Sequence, residues 1–420
     1  MTPRAYLCSL EQFGIKLGLE QITALLDHLG RPDRAYQSIL VAGTNGKGSV
    51  TAMTERALRA AGRRTGRYTS PHLVHIEERV AIDGRPIERE LFDDLAGEIQ
   101  RAAGRLPVPP TFFEATTALA LEAFRRRAVD VAVVEVGLGG RLDATNVLLP
   151  EGVAITAIDF DHEQHLGHTL EAIAREKAGI IKPGRFCVLG ANAPEVRQLV
   201  AARCREVGAD FVFAPGDVES RAEAEAGRIR LTLRTPAADY GEITLGLRGR
   251  HQVDNSVTAV RLLEQFARAA SVDIGVDAIR TGLHDVEWPG RLEVRRLGGA
   301  DVLIDGAHNP AAARALADYL RDTYAQRLPI VIGVMRDKNI RGILAPLAER
   351  ASAFICTAPA SPRAATPEAL AQIARALAPE LPVRAIAGAR AALIDALSLG
   401  APAVVAGSLY LAGEIRAELS

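Results

Sequence analysis

QSILVAGTNGKGSVTAMTERALRAAG, residues 37–62, sets three signals in sequence. QSILVAG (37–43) is an apolar run of the length of a buried strand. SVTAMTERALRAAG (49–62) has helical spacing, with Val50, Met53, Ala57, Leu58 and Ala61 on one face and Gly62 as its stop. Between them GTNGKGS (43–49) has the composition of a phosphate-binding loop: glycines that let backbone N–H groups approach oxygen, and a helix N-terminus behind them. Lys47 adds a point charge, and Ser49 offers a hydroxyl to a metal ion. It is not G-x-x-x-x-G-K-[ST]: residue 41 is Val, and Gly48 separates the lysine from Ser49. An ordinary glycine-rich turn is the alternative, and the strand, lysine and helix in register weigh against it.

Working outward, strand and helix patterns alternate. VDVAVVEVG (129–137) and GVAITAID (152–159) read as strands, and TTALALEAFRRRA (116–128) and TLEAIAREKAGI (169–180) as helices. Continuous apolar strands separated by helices imply a parallel sheet covered on both faces. Residues 211–248 change character: FVFAP, RIRLTLR and EITLGLR are short strands among turn residues, expected as a small antiparallel patch. A helix follows over about 252–270. WPGR (288–291) breaks either pattern, and beyond it ADVLIDGAH, LPIVIGVM, ASAFICTA, LPVRAIA and APAVVAGS alternate with helical segments. The expected class is α/β: a phosphate-loop, parallel-sheet domain over 1–288 and a smaller doubly wound, Rossmann-like domain over 289–420. No fixed-period repeat or low-complexity segment interrupts it.

The 420 residues are 48% hydrophobic and 24% charged, with Lys+Arg 50 against Asp+Glu 51. That balance excludes wholesale disorder and binding to nucleic acid through global charge. The chain shows no apolar run of membrane-spanning length and no basic start followed by an apolar core, so a cytoplasmic protein without membrane attachment is expected. Cys8, Cys187, Cys204 and Cys356 lack metal or redox spacing and are expected as buried, reduced thiols. Lys16, Lys47, Lys177, Lys182 and Lys338 are the only lysines in an arginine-dominated set, a hint that an ammonium matters where one is kept.

Other residues sit where strands end. Glu135 falls near the carboxyl end of its strand, where ligands of parallel sheets gather, and a carboxylate there suits Mg²⁺. The following GLGGRLDATN (137–146) fails the dinucleotide pattern at Leu142. DFDHEQHLGH (159–168) carries His162, His165 and His168. Zinc is one reading, although the spacing is not H-E-x-x-H; His162 as a Mg²⁺ ligand or phosphate contact, with the other two solvated, is the other. In DGAHNP (305–310), Asp305 and His308 lie at a strand-to-helix junction, as does Ser408 after the last strand. Arg291 sits in the boundary segment, able to serve a phosphate.

Together these segments resemble the folylpolyglutamate synthase / dihydrofolate synthase branch of the Mur ligase superfamily. The resemblance runs through GIKLGLE (14–20), VAGTNGKGS (41–49), TSPHL (69–73), FFEATTALA (112–120), VEVGLGGRLDATN (134–146), REKAGIIKPG (175–184), HQVDN (251–255), WPGRLE (288–293) and DGAHNP (305–310). It implies ATP bound between two domains and an ATP-dependent amide ligase joining L-glutamate to dihydropteroate and to folates, acting as a monomer. It assigns Asn45, Gly46, Lys47, Gly48 and Ser49 to the ATP phosphates. Asn255, Arg291 and Asp305 are assigned to the nucleotide. Two Mg²⁺ ions are implied, one held through Ser70 and Glu135 and the other through Glu135 and His162, with the Ser49 hydroxyl a further candidate metal ligand. Thr111, Phe112, Phe113, Glu114, Arg141 and Leu142 would line the pterin pocket, and His308 and Ser408 would meet glutamate. Lys177 would be carbamylated and act with Lys47, Glu135 and His162 in catalysis. Two alternatives stay open within the family, a folylpolyglutamate synthase lacking the second activity and a cell-wall peptide ligase. The latter usually carries an extra N-terminal domain, for which a phosphate loop starting at residue 43 leaves no room. A nucleotide-binding regulatory module without ligase activity is the alternative outside it.

Overall fold

A computed structural model describes residues 1–14 and 16–419; Ile15, within the GIKLGLE segment, lies outside the described residues. The chain forms two compact units. The first comprises 1–220, 232–243 and 254–286, and the second 221–231, 244–253 and 287–420.

The first unit is built on a sheet of eight strands: β1 (Gln37–Ala42), β2 (Thr65–Tyr68), β3 (Val80–Ile82), β4 (Arg85–Pro86), β5 (Val131–Glu135), β6 (Gly152–Ile155), β7 (Phe186–Leu189) and β8 (Asp210–Phe213). Their order is β4-β3-β2-β5-β1-β6-β7-β8. From β2 to β8 every neighbouring pair is parallel, and only the β2–β3 and β3–β4 pairs, at one edge, are antiparallel. Ile39 to Ala42 are fully buried, as a strand with parallel neighbours on both sides requires. The chain leaves β1 towards β2 on one side and later returns to β6 on the other. The carboxyl end of β1 is therefore a switch point, where the flanking connections diverge and leave a crevice.

FVFAP departs from expectation. Residues 210–213 form β8, parallel to β7 and at the edge of the main sheet, not part of an antiparallel patch. The intervening helix, Pro194–Val207, supplies the crossover that a parallel partner needs. The patch itself is a three-stranded sheet of β9 (Glu219–Glu225), β10 (Arg228–Arg234) and β11 (Asp239–Thr244), ordered β11-β10-β9. Ala226 and Gly227, both at positive φ, make the two-residue link between β9 and β10.

The second unit carries β12 (Glu293–Leu297), β13 (Ala300–Ile304), β14 (Leu328–Ile332), β15 (Ala351–Cys356), β16 (Val383–Ala385) and β17 (Ala403–Ala406), ordered β12-β13-β17-β14-β15-β16. All pairs are parallel except β12 with β13. β12 was not expected from the sequence, because EVRRL is mostly charged, exposes Val294 and Arg296, and lacks the apolar run of its neighbours. Cys187, Cys204 and Cys356 are buried free thiols, but Cys8 is exposed, on a helix whose only buried residue is Leu7. Among the described residues no helix is long and apolar enough to cross a membrane.

Candidate active site

The turn after β1 is held open from both ends. Gly43 has φ +150°, and a Cβ there would lie 1.8 Å from Thr156 Oγ1, so no other residue fits without moving the β6 end. Thr44 N and Asn45 N donate to Ala157 O at 2.8 and 3.2 Å, and Thr156 Oγ1 donates to Asn45 O at 2.7 Å. Gly46, at φ +90°, is the N-cap of helix Lys47–Ala60 and supplies no side-chain cap. The helix thus starts with N–H groups and a positive dipole end at the crevice, the arrangement that receives anions. A Cβ on Gly46 would meet Asn255 Oδ1 at 2.3 Å, which places Asn255 directly on the loop.

Two lysines converge on this turn. Lys47 folds back so that Nζ donates to Gly43 O and Thr44 O, both at 3.2 Å. Lys177, near the end of helix Leu170–Ala178, is 4% exposed and donates from Nζ to Gly43 O at 2.8 Å. Burial, and then the Lys47 charge, pull the Lys177 amine down to about 7, against the opposing pull of Asp161 and Asp143. Near neutral pH an appreciable fraction of this amine is therefore unprotonated.

Glu135 ends β5, the strand beside β1, and is 6% exposed. Its Oε2 accepts from Ser70 N at 3.2 Å, which joins two of the expected metal ligands. His162 follows β6 in the left-handed region (φ 52°) and caps the short helix Glu163–Leu166. Its backbone N donates to Asp161 Oδ1 at 2.8 Å, and its Nε2 lies 3.9 Å from the same oxygen. His165 and His168 are exposed. Among the described residues no group of three or more His, Cys, Asp or Glu side chains is placed to hold a metal, which leaves the zinc reading without support.

Thr111 and Glu114 form a reciprocal cap at the start of helix Phe112–Arg126. Glu114 Oε2 accepts from Thr111 N at 2.7 Å and from Thr111 Oγ1 at 2.8 Å, and Glu114 N donates to Thr111 Oγ1 at 3.2 Å. The two rings between them are half-buried: Phe112 lies under the Arg79 guanidinium at 5.0 Å, and Phe113 packs 6.1 Å from the Tyr68 ring and against Gly137. Arg141 is exposed and pairs with Glu176 at 2.9 Å, and Leu142 O accepts from Gly18 N at 3.4 Å. Arg79, Asp143 and Asp161 were missed by the sequence reading. Asp143 is buried and accepts from Leu138 N at 2.7 Å and Thr145 Oγ1 at 2.6 Å, fixing the loop beyond Glu135. The D-A-T-N run was its signal, since Asp with Thr two residues on is a local turn pattern.

In the second unit, Asp305 lies just past β13. Its Oδ2 accepts from Leu292 N and its Oδ1 from Ala307 N, each at 2.9 Å, while burial pushes its carboxyl up and Arg291 opposes that. Arg291 lies against Gly306, where a Cβ would come 2.3 Å from Nη1. His308 Nδ1 is 2.8 Å from Gly306 O. Ser408 is 2% exposed and caps helix Leu409–Glu418 by accepting from Leu411 N at 3.1 Å. Asp305 and Ser408 thus shape their own loops.

The sequence matches the Mur ligase middle domain over residues 41–263 and the Mur ligase glutamate ligase domain over 290–409. A protein of Mycobacterium tuberculosis named dihydrofolate synthase/folylpolyglutamate synthase is 42% identical over 375 residues, which is 84% of this chain and 76% of that one. A protein of Haloferax volcanii named probable bifunctional folylpolyglutamate synthase/dihydropteroate synthase is 36% identical over 98% of this chain, which spans 49% of that relative's length. The crystal structure of Mycobacterium tuberculosis folylpolyglutamate synthase complexed with ADP and AMPPCP matches with a TM-score of 0.92 at 37% identity, covering 100% of this chain and 99% of that one.

Proposed function

The chain belongs to the Mur ligase family, and on that footing we propose that it is an ATP-dependent amide ligase that adds L-glutamate to dihydropteroate and to folates. The observation that carries this reading is the meeting of Lys47 and Lys177 on Gly43 O, in a loop that opens at the same carboxyl end of the sheet as Glu135.

A carboxylate is a poor electrophile, and an amine cannot displace oxide from it. In the proposed reaction a carboxylate oxygen of the acceptor attacks the γ-phosphorus of ATP, and ADP leaves. The glutamate nitrogen then attacks the acyl carbon, the former carboxylate oxygen departs with phosphate, and the nitrogen loses a proton. The first step brings two anions together, so charge neutralisation and alignment matter most. Asn45 to Ser49 would hold the phosphates with loop N–H groups, with Lys47 exchanging its loop carbonyls for phosphate oxygens. Asn255 lies against that loop. Phe112 and Phe113 would offer flat apolar faces to a pterin.

The donors fit Mg²⁺. Ser49, Ser70 and Glu135 present oxygens and His162 a nitrogen, and Mg²⁺ typically takes one or two carboxylates together with substrate phosphates. When bound, two such ions would neutralise charge on the phosphates. Lys177 as a carbamate would add an anion in place of a cation beside Lys47. Arg291 and Asp305 are proposed as nucleotide residues of the second unit, and His308 and Ser408 as glutamate residues.

The test is ADP release by the purified protein. Turnover should require a pteroate-type carboxylate, L-glutamate and Mg²⁺ together. Turnover driven by D-glutamate or a UDP-sugar peptide, with L-glutamate inert, would overturn the reading, as would nucleotide hydrolysis indifferent to glutamate.

A further inference from the structure

A charge on an interior strand of a parallel sheet needs partners, because both faces are covered. Arg67 is such a residue. It lies on β2, whose other neighbour on the parallel side is β5. Its Nη1 is 3.5 Å from Oε2 of Glu55, a carboxylate 1% exposed in the middle of helix Lys47–Ala60. Glu55 is itself fixed: Oε1 accepts from Thr65 Oγ1 at 2.6 Å and lies 3.3 Å from Arg59 Nε. Arg67 is thereby tied to the helix that the phosphate loop feeds.

The strand register gives Arg67 a second direction. Arg67 stands opposite Val133. Side chains two apart on a strand share a face, so Val133 and Glu135 lie on the face that Arg67 occupies. Glu135 is close enough to favour the charged guanidinium against its burial. One arginine thus stands between a carboxylate anchored in the phosphate-loop helix and the carboxylate at the strand end.

We propose that Arg67 is a positioning residue for Glu135: braced by Glu55, it keeps the Glu135 carboxylate aimed at the divalent cation that accompanies the nucleotide. This rests on the ligase reading above. Charge alone makes the opposite forecast, since deleting a nearby cation should make the site bind a metal ion more tightly. The sign of the change therefore separates positioning from bulk electrostatics.

The experiment measures free Mn²⁺ by electron paramagnetic resonance, in the presence of a non-hydrolysable ATP analogue and the full-length protein. Loss of a group that orients a metal ligand typically costs 10–100-fold in affinity, so Arg67→Met should weaken Mn²⁺ binding about tenfold, and Arg67→Lys should recover most of it. Equal or tighter binding by Arg67→Met overturns the proposal, and so does an Arg67→Lys variant as weak as Arg67→Met. Should Arg67→Met fail to fold, the double variant Arg67→Met/Glu55→Gln removes both buried charges and carries the same expectation. Failure of the wild-type protein to bind Mn²⁺ with the nucleotide would overturn the ligase reading together with this inference. Wild-type binding with an indifferent Arg67→Met overturns this inference alone.

Discussion

Burial, and after it the Lys47 ammonium that shares the Gly43 carbonyl oxygen, determine at the residue scale how Lys177 behaves. An ordinary lysine stays protonated to about pH 10.4, whereas Lys177 reaches half-neutrality near 7, chiefly through burial. Only the neutral amine reacts with CO₂. With ¹³C-labelled bicarbonate, a carbamate resonance should therefore appear as pH rises from 6 to 8 and be missing from Lys177→Ala. The variant should also lose most activity, with partial recovery on adding short-chain carboxylates; full activity without them would remove Lys177 from the mechanism. The same shift sets a stability trend in CO₂-free buffer. Between the folded value and the unfolded one, the unfolded chain holds the extra proton, so unfolding free energy rises with pH from about 7 to about 10.4. Lys177→Met should flatten that rise in urea titrations. Glu135→Gln removes a charge at the strand end and keeps its volume. It should still fold and lose about 3 kcal/mol of transition-state stabilisation; full activity would place Glu135 outside the site.

At the scale of elements, the strand, loop and helix over 37–62 were legible because every signal is local: an apolar run, glycines at fixed positions, a helical stripe. The structure adds why the glycines are needed. Gly43→Ala would drive a methyl group into Thr156 at a φ that only glycine adopts readily, a strain on the order of 1–3 kcal/mol. The variant should melt lower and bind nucleotide weakly in calorimetry; wild-type binding would show that the loop tolerates a shifted β6 end. Less was legible where pairing is long-range. The FVFAP segment has the same pattern in a hairpin or at a parallel edge, and only the preceding crossover helix separates the two. Arg67, Arg79 and Asp161 were silent for the same reason. Arg67 meets Glu55 across a helix–sheet interface, Arg79 meets Phe112 across 33 positions of sequence, and Asp161 matters through Lys177. Thr111 and Glu114 were read as pocket residues, yet together they cap a helix, a role their T-x-x-E spacing also spells.

At the scale of the whole molecule, the proposed reaction activates a carboxylate by phosphoryl transfer before an amine attacks it. Dihydropteroate and tetrahydrofolate are both expected as acceptors, because the proposed pterin contacts of Phe112 and Phe113 would not depend on whether a glutamate is already attached. A protein that extends tetrahydrofolate and leaves dihydropteroate untouched would restrict the reading to the second activity. The most direct measurement uses dihydropteroate labelled with ¹⁸O in its carboxylate, together with ATP, Mg²⁺ and L-glutamate, and reads the released phosphate by mass spectrometry. One ¹⁸O atom is expected in each phosphate formed, carried over from the acceptor; unlabelled phosphate accompanying full amide formation would rule out the acyl-phosphate step.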